Sequence, residues 1–304
     1  MKKIAVLIPC FNEAITIKKV VKDFQKDLPG AEVYVYDNNS SDRTAEIAAE
    51  AGAIVRREFR QGKGNVVRSM FRDVEADYYV LVDGDDTYPA ESVRSLLQEA
   101  LDGADVVVGD RLSNGTYAKE NKRGFHGFGN KLVLFLINRL FKVQLRDIMS
   151  GYRVFSRRFV KMYPVLCEGF QLETDMTIFA LSRKLRMAEV SIEYRDRPRG
   201  SESKLSTFSD GTRVLMTIFN LYRFFYPFRY FSILAGVFFM AGILIGLPVI
   251  VEFVETRYVY KIPSAILSSG LMVLAIIGFS NGLILDSINK ADQENFEREL
   301  KNKK

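Results

Sequence analysis

"YYVLVDGDDTYP", residues Tyr78 to Pro89, sets five apolar or aromatic residues directly before three carboxylates in four positions. The apolar run reads as a buried strand. Asp83, Asp85 and Asp86 repel one another wherever water is partly excluded, so the cluster costs stability unless something cationic sits among them. A strand that ends in an acidic loop points to an open α/β sheet, whose ligands gather past the carboxyl ends of the strands.

The flanking sequence repeats that pattern. Ile4 to Ile8 reads as a buried strand, and Ile17, Val20, Val21, Phe24 and Leu28 then fall on one helical face. Val33 to Tyr36, Ala53 to Val55 and Asp105 to Val108 supply further strands with helices between them. Ser and Asp residues of "DNNSSDRT" are placed to cap the helix carrying Ala45, Ile47 and Ala48. This alternation predicts a doubly wound, mostly parallel sheet. "PCFNE" follows the first strand, "DNNSSD" the second and "DGDDTYP" the fourth, so the polar clusters share one edge.

The apolar residues are unevenly spread. Tyr230–Val251 and Ile262–Leu285 contain no Asp, Glu, Lys or Arg, and each exceeds the roughly 20 residues that cross a bilayer as a helix. They predict a two-helix transmembrane hairpin; buried helices of a large soluble core are the alternative. Arg213, Arg223 and Arg229 precede the first span, and Lys290, Arg298, Lys301, Lys303 and Lys304 follow the second. The connector Glu252 to Lys261 balances two acids against two bases, which places both ends in the cytoplasm. Met1 to Ile8 is too short for a signal peptide before it enters Pro-Cys-Phe-Asn-Glu, so the bulk of the chain is expected in the cytosol.

Between sheet and hairpin, Val214, Leu215, Ile218, Leu221, Tyr222 and Phe225 recur at helical spacing. An interfacial amphipathic helix is the first reading and a core helix of the soluble domain the second. The expected domains are 1–204, the cytoplasmic α/β unit; 205–229, interfacial; 230–285, the two spans; and 286–304, a polar cytoplasmic tail. The net charge of +6 fits a protein held against anionic headgroups. Nucleic acid is not an expected partner, because the excess is modest and no nucleic-acid motif or zinc spacing appears. Cys10 and Cys167 are far apart and read as buried free thiols.

"IPCFNEAITI", "VYDNNSSDRT", "GKGNVVRSMF", "LVDGDDTYPAE", "GDRLS", "DIMSGYRVFSRR", "GFQLETDM" and "RPRGSESKLSTFSDG" occur in that order ahead of the paired spans. Together they resemble the polyisoprenyl-phosphate glycosyltransferases of glycosyltransferase family 2. These inverting enzymes of GT-A fold include dolichyl-phosphate mannose synthase and bacterial undecaprenyl-phosphate sugar transferases. The resemblance covers essentially the whole chain. It implies a nucleotide-sugar donor, a polyprenyl phosphate acceptor and Mg²⁺ or Mn²⁺.

By the same resemblance Asp85 is a direct metal ligand, Asp83 a ligand or ribose contact, and Asp86 a helper. Divalent cations of this kind take carboxylate oxygens on one side and phosphate oxygens on the other. A calcium loop counted from Asp83 fails, since Tyr88 falls at the glycine position and Arg94 at the bidentate glutamate. A plain acidic turn is the other alternative. Asp37 is implied to hold the nucleoside, with Pro9, Asn12, Glu13 and Gly84 at the same nucleotide edge. Lys63, between Gly62 and Gly64, adds positive charge where the backbone comes close to a ligand.

A lipid phosphate arrives already ionised, so the chemistry needs fixed guanidinium groups more than a strong base. Arg111, Arg123 and Arg153 match positions implied to grip that phosphate. Asp147, Glu173 and Asp175 are candidates for a base or a positioning carboxylate. Arg197, Arg199, Ser203 and Lys204 lie in a loop resembling the family's mobile lid. His126, the single histidine, reads as structural.

Undecaprenyl phosphate is the expected acceptor, and UDP-glucose the first expected donor, ahead of UDP-N-acetylglucosamine and GDP-mannose. A homotetramer, membrane lipids, a flippase and a downstream glycosyltransferase are the other implied partners. A processive polysaccharide synthase is disfavoured because its QxxRW motif needs a tryptophan and the chain has none. A membrane-anchored scaffold that kept the fold and lost turnover is the alternative of another class.

Overall fold

The computed structural model describes residues 2–113, 124–166, 172–198, 219 and 222–302, with backbone alone at 124–131 and 299–302. The chain divides into two units, Met1–Phe208 and Ser209–Lys304.

The first unit is built on a seven-stranded sheet in the order β3-β2-β1-β4-β6-β5-β7. Its strands are β1 (Ile4–Cys10), β2 (Glu32–Asp37), β3 (Ile54–Arg57), β4 (Tyr78–Leu81), β5 (Val106–Asp110), β6 (Arg153–Ser156) and β7 (Met187–Ser191). The first four are parallel, as the alternation of strand and helix predicts. β6 runs antiparallel to both neighbours, β4 and β5, while β7 runs parallel to β5.

Because strand side chains alternate between faces, one strand feeds two cores. Val6 and Ile8 of β1 point into a layer with α1 (Ile17–Asp27) and α4 (Val93–Leu101). Ala5 and Leu7 point into the opposite layer with α3 (Lys63–Asp73), α6 (Arg157–Met162) and α7 (Leu172–Ser182). Among the described residues the remaining α-helices of this unit are α2 (Thr44–Glu50) and α5 (Gly124–Phe141). α6 starts where Ser156 Oγ accepts the Phe159 N–H at 3.1 Å, a side-chain N-cap.

The reversal of β6 decides what lies at the ligand edge. Leu81 pairs with Arg153 and Val108 with the same residue, so the segment entering β6 lies beside the segments leaving β4 and β5. "SGYR" thereby comes against the acidic loop and "GDRLS".

The second unit is a hairpin of α8 (Pro227–Thr256) and α9 (Ile262–Asn302). α8 spans about 45 Å at the usual helical rise, against a hydrocarbon layer of about 30 Å. Gly242 and Gly246 let the helices approach closely: Ser268 Oγ donates to the Gly242 carbonyl at 2.8 Å, and a Cβ at Gly246 would collide with Ser268. Leu244 is 70% exposed, Ile266 68% and Ile276 67%, so apolar side chains face outward, unlike those of a soluble core helix. Both helices are long and apolar enough to cross a membrane. Most of the interfacial segment lies outside the described residues; within it, 222–225 is helical.

Candidate active site

Three loops meet at the carboxyl edge of the sheet. The first two are laced together. Asn12 N–H donates to Ser40 Oγ at 2.9 Å, Ser41 N–H to Asn12 Oδ1 at 2.8 Å, and Glu13 N–H to Thr44 Oγ1 at 2.8 Å. The turns are made by Asn12, Asn39 and Asp86, all with positive φ (56°, 61° and 60°), a region that Asn and Asp enter more readily than other side chains. Asn12 and Glu13 thus bind loop to loop. Pro9 pairs in register with Tyr36, one residue before Asp37. Asp37 is buried at the end of β2 and accepts the Ser40 N–H at 3.3 Å.

In the third loop each carboxylate meets its own cation. Lys63 Nζ lies 2.5 Å from Asp83, Arg197 Nη2 2.6 Å from Asp85, and Lys19 Nζ 2.7 Å from Asp86. The repulsion expected of the cluster is met by the chain's own side chains. Asp85 is nevertheless pushed up from the ordinary carboxylate range by burial and by the Asp83 charge, with Arg197 and Thr87 opposing. Thr87 Oγ1 donates to its Oδ1 at 2.7 Å. Gly84 lies under this loop: its carbonyl accepts Thr16 Oγ1 at 2.6 Å, and a Cβ there would sit 2.8 Å from Cys10 Sγ.

Lys63, at the start of α3, also reaches Glu173 at 2.7 Å. Burial would lower its pKa, but the Asp83 and Glu173 carboxylates more than reverse this and hold it as an ammonium. Gly151 faces the same pair; a Cβ there would collide with the Asp83 carboxylate and stand 3.2 Å from Lys63 Nζ. Gly151→Ala is expected to displace Asp83 and cut turnover about tenfold or more with the fold retained, read by melting temperature beside transfer rate.

Arg111 and Asp147 form the second half of the site. Arg111 grips Asp147 with two nitrogens, at 2.7 and 3.0 Å, and its third points to Tyr88 Oη at 3.4 Å. Its guanidinium lies 5.6 Å from the Tyr194 ring centre. Burial raises the Asp147 carboxyl, but Arg111 and backbone N–H groups outweigh it, and the net shift is downward. An ion-paired carboxylate of lowered pKa is a poor base, so Asp147 fits the positioning role. Tyr88 Oη also accepts the Gly151 N–H at 3.0 Å, joining the two halves.

Arg153 corrects the sequence reading. It is fully buried, donating to the carbonyls of Ser150 and Ile148 and to Thr177 Oγ1 at 2.9, 2.7 and 3.0 Å. Burial lowers its pKa. A guanidinium so enclosed holds the "SGYR" turn and does not reach an acceptor phosphate. Asp175 accepts the Tyr163 hydroxyl at 2.6 Å; burial pushes its carboxyl up. Arg123, Arg199, Ser203, Lys204 and Cys167 lie outside the described residues, as does the His126 side chain. Sequence reasoning passed over Tyr88 and Gly151, although both fall inside motifs it singled out.

Among the described residues no three acidic, histidine or cysteine side chains converge on a metal position. Asp83 and Asp85 nevertheless fit a hard divalent cation: both are oxygen donors, and even beside Arg197 the Asp85 carboxyl stays raised by burial and the Asp83 charge, a penalty that an ion between them would relieve.

The family described as "Glycosyl transferase family 2" matches residues 5–163. The chain is 30% identical to the glycosyltransferase AglJ of Haloferax volcanii over 93% of each chain. It is 32% identical to a dolichyl-phosphate hexose transferase of the same organism, over 69% of this chain and 90% of that one. An undecaprenyl-phosphate mannosyltransferase of Micrococcus luteus is 28% identical over 67% of this chain and 88% of its own. Among solved structures, glucosyl-3-phosphoglycerate synthase of Mycobacterium tuberculosis with Mn²⁺, UDP and glucosyl-3-phosphoglycerate superposes with a TM-score of 0.58 at 22% identity, covering 71% of this chain and 80% of that one. That likeness shows the GT-A fold. With its sheet, its acidic loop and these matches, the chain belongs to glycosyltransferase family 2.

Proposed function

We propose that the protein transfers a single sugar from a nucleotide donor to a polyprenyl phosphate at the cytoplasmic membrane face, with inversion at the anomeric carbon. The observation that carries this reading is the engagement of the candidate bases: Asp147 is locked by Arg111 and Glu173 by Lys63, while Asp175 is held by the Tyr163 hydroxyl. An acceptor that arrives ionised needs no proton removed. The relatives named for dolichyl-phosphate and undecaprenyl-phosphate transfer support it, and the apolar hairpin gives the chain a means of meeting a lipid.

One acceptor phosphate oxygen forms the new bond to the anomeric carbon as the bond to the donor diphosphate breaks, and the nucleoside diphosphate departs with that electron pair. Asp83 and Asp85 would hold Mg²⁺ or Mn²⁺, and the ion so held would supply positive charge against the diphosphate. Asp37 at the end of β2 binds the nucleoside. Lys63 presents a permanent positive charge beside the acidic loop. Arg111, aimed by Asp147 and Tyr88, draws the acceptor phosphate in. Arg197 would release Asp85 as the donor enters and turn its charge to the diphosphate.

UDP-glucose is the first donor proposed, then UDP-N-acetylglucosamine, then GDP-mannose; undecaprenyl phosphate is the acceptor. Residues 1–204 and both termini are assigned to the cytoplasm, 205–229 to the headgroups, and four copies to the assembly. The test incubates purified full-length protein with each radiolabelled donor, Mn²⁺ and undecaprenyl phosphate. One donor is expected to give an organic-extractable product; none doing so would leave a scaffold as the better reading.

A further inference from the structure

Glu189 occupies the middle of β7, opposite Val108 of β5, and the reaction described above makes no use of it. Its carboxylate accepts the backbone N–H of Arg146 at 2.9 and 3.0 Å and that of Asp147 at 2.9 Å. Burial, followed by the charges of Asp110 and Asp147, raises its pKa against the two backbone bonds that lower it. A third carboxylate beside two others is locally unfavourable, even on a half-buried edge strand. With Asp110, Arg146 and Ser191 it lines a cleft of about 340 Å³ to which no residue of the acidic loop contributes. Glu189 therefore touches the catalytic edge only through the chain it holds.

That chain leads to one place. The N–H of Asp147 is fixed by Glu189, and the Asp147 carboxylate grips the Arg111 side chain and also accepts the Arg111 backbone N–H at 3.2 Å. Asp147 is thus clamped from both ends, by β7 at its backbone and by Arg111 at its side chain.

We propose that Glu189 is a positioning residue for the acceptor, setting the angle at which Arg111 meets the incoming phosphate. The inference rests on Arg111 being the acceptor grip. Its consequence is selective: loosening the backbone of 146–147 disturbs Arg111, whereas the Lys63, Asp83 and Asp85 group depends on other partners.

The test measures turnover and both Michaelis constants in full-length wild type, Glu189→Ala, Glu189→Gln, Arg111→Ala and the double variant Glu189→Ala/Arg111→Ala, with undecaprenyl phosphate as acceptor. Glu189→Ala is expected to raise the acceptor KM about tenfold, with the donor KM within about twofold of wild type. Glu189→Gln keeps a carbonyl oxygen facing the two N–H groups and should recover most of the loss. In the double variant the acceptor KM should match that of Arg111→Ala alone, because the two residues act as one unit.

Should donor and acceptor constants rise together, or the two substitutions multiply in the double variant, Glu189 is a stability residue and the inference is wrong. If Glu189→Ala does not fold, Glu189→Asp takes its place: its shorter side chain draws the carboxylate back from the two N–H groups, so an acceptor KM well above wild type with the donor KM unchanged supports the role, and two constants equal to wild type with a lowered melting temperature overturn it. An Arg111→Ala variant with normal acceptor KM would instead remove the acceptor grip itself, a separate failure visible in a separate protein.

Discussion

Asp85→Ala is expected to lower the rate of sugar transfer by about a thousandfold while the chain stays folded. Asp85 is buried at the tip of the acidic loop, where desolvation and the neighbouring Asp83 charge work against its ionised form. Deleting the carboxylate removes that repulsion. It also takes one partner from Arg197, whose side chain is 31% exposed and able to rehydrate. Stability should therefore change little, and the melting temperature should stay within about 3 °C of wild type, roughly 1 kcal/mol for a domain of this size. Transfer is expected to fall because the donor diphosphate would lose one of the two carboxylates proposed to seat its counter-charge. Melting and single-turnover transfer on one preparation check both halves, and unimpaired transfer would end the assignment of Asp85 as a ligand.

Arg111→Ala should behave differently, because it strands its partner. The pair is enclosed, with side chains 11% and 2% exposed, and a buried ion pair broken on one side typically destabilises by about 3 kcal/mol. Loss of a charge-assisted phosphate contact adds an expected rise of about a hundredfold in acceptor KM. The acid limb of stability should also change. Asp147 has a folded pKa below its unfolded one, so its contribution is present above the unfolded value and lost as pH falls through the folded value. Without Arg111 that contribution shrinks, and melting temperature should depend less steeply on pH in that window. Calorimetry from pH 7 downward reads this, and an unaltered slope would contradict the assigned cause.

Most of the sheet was legible because its strands are short apolar runs that end in charge. Ile4, Glu32, Ile54, Tyr78 and Val106 begin strands within a residue of where the apolar pattern places them. The acidic loop was legible for the same reason: three like charges after a buried strand demand a compensating partner. What the pattern hid was the identity of that partner. Lys63, Arg197 and Lys19 come from three separate places in the chain, and only the fold brings them to Asp83, Asp85 and Asp86. Arg153 was misread because burial is invisible in a residue's type: "SGYR" looks like a phosphate loop whether its arginine faces out or in. Glu189 escaped notice because its partners are backbone N–H groups, which no side-chain pattern reports.

The backward course of β6 enlarges what a single rim of the sheet can host. In a wholly parallel arrangement only chain departing from strands reaches that rim, and each strand must then traverse a crossover before another can add to it. One reversed strand brings an arrival there as well. Gly151 is such an arrival, lodged between two departures that carry Asp83 and Arg111, so the groups proposed for donor and for acceptor become neighbours without a longer loop.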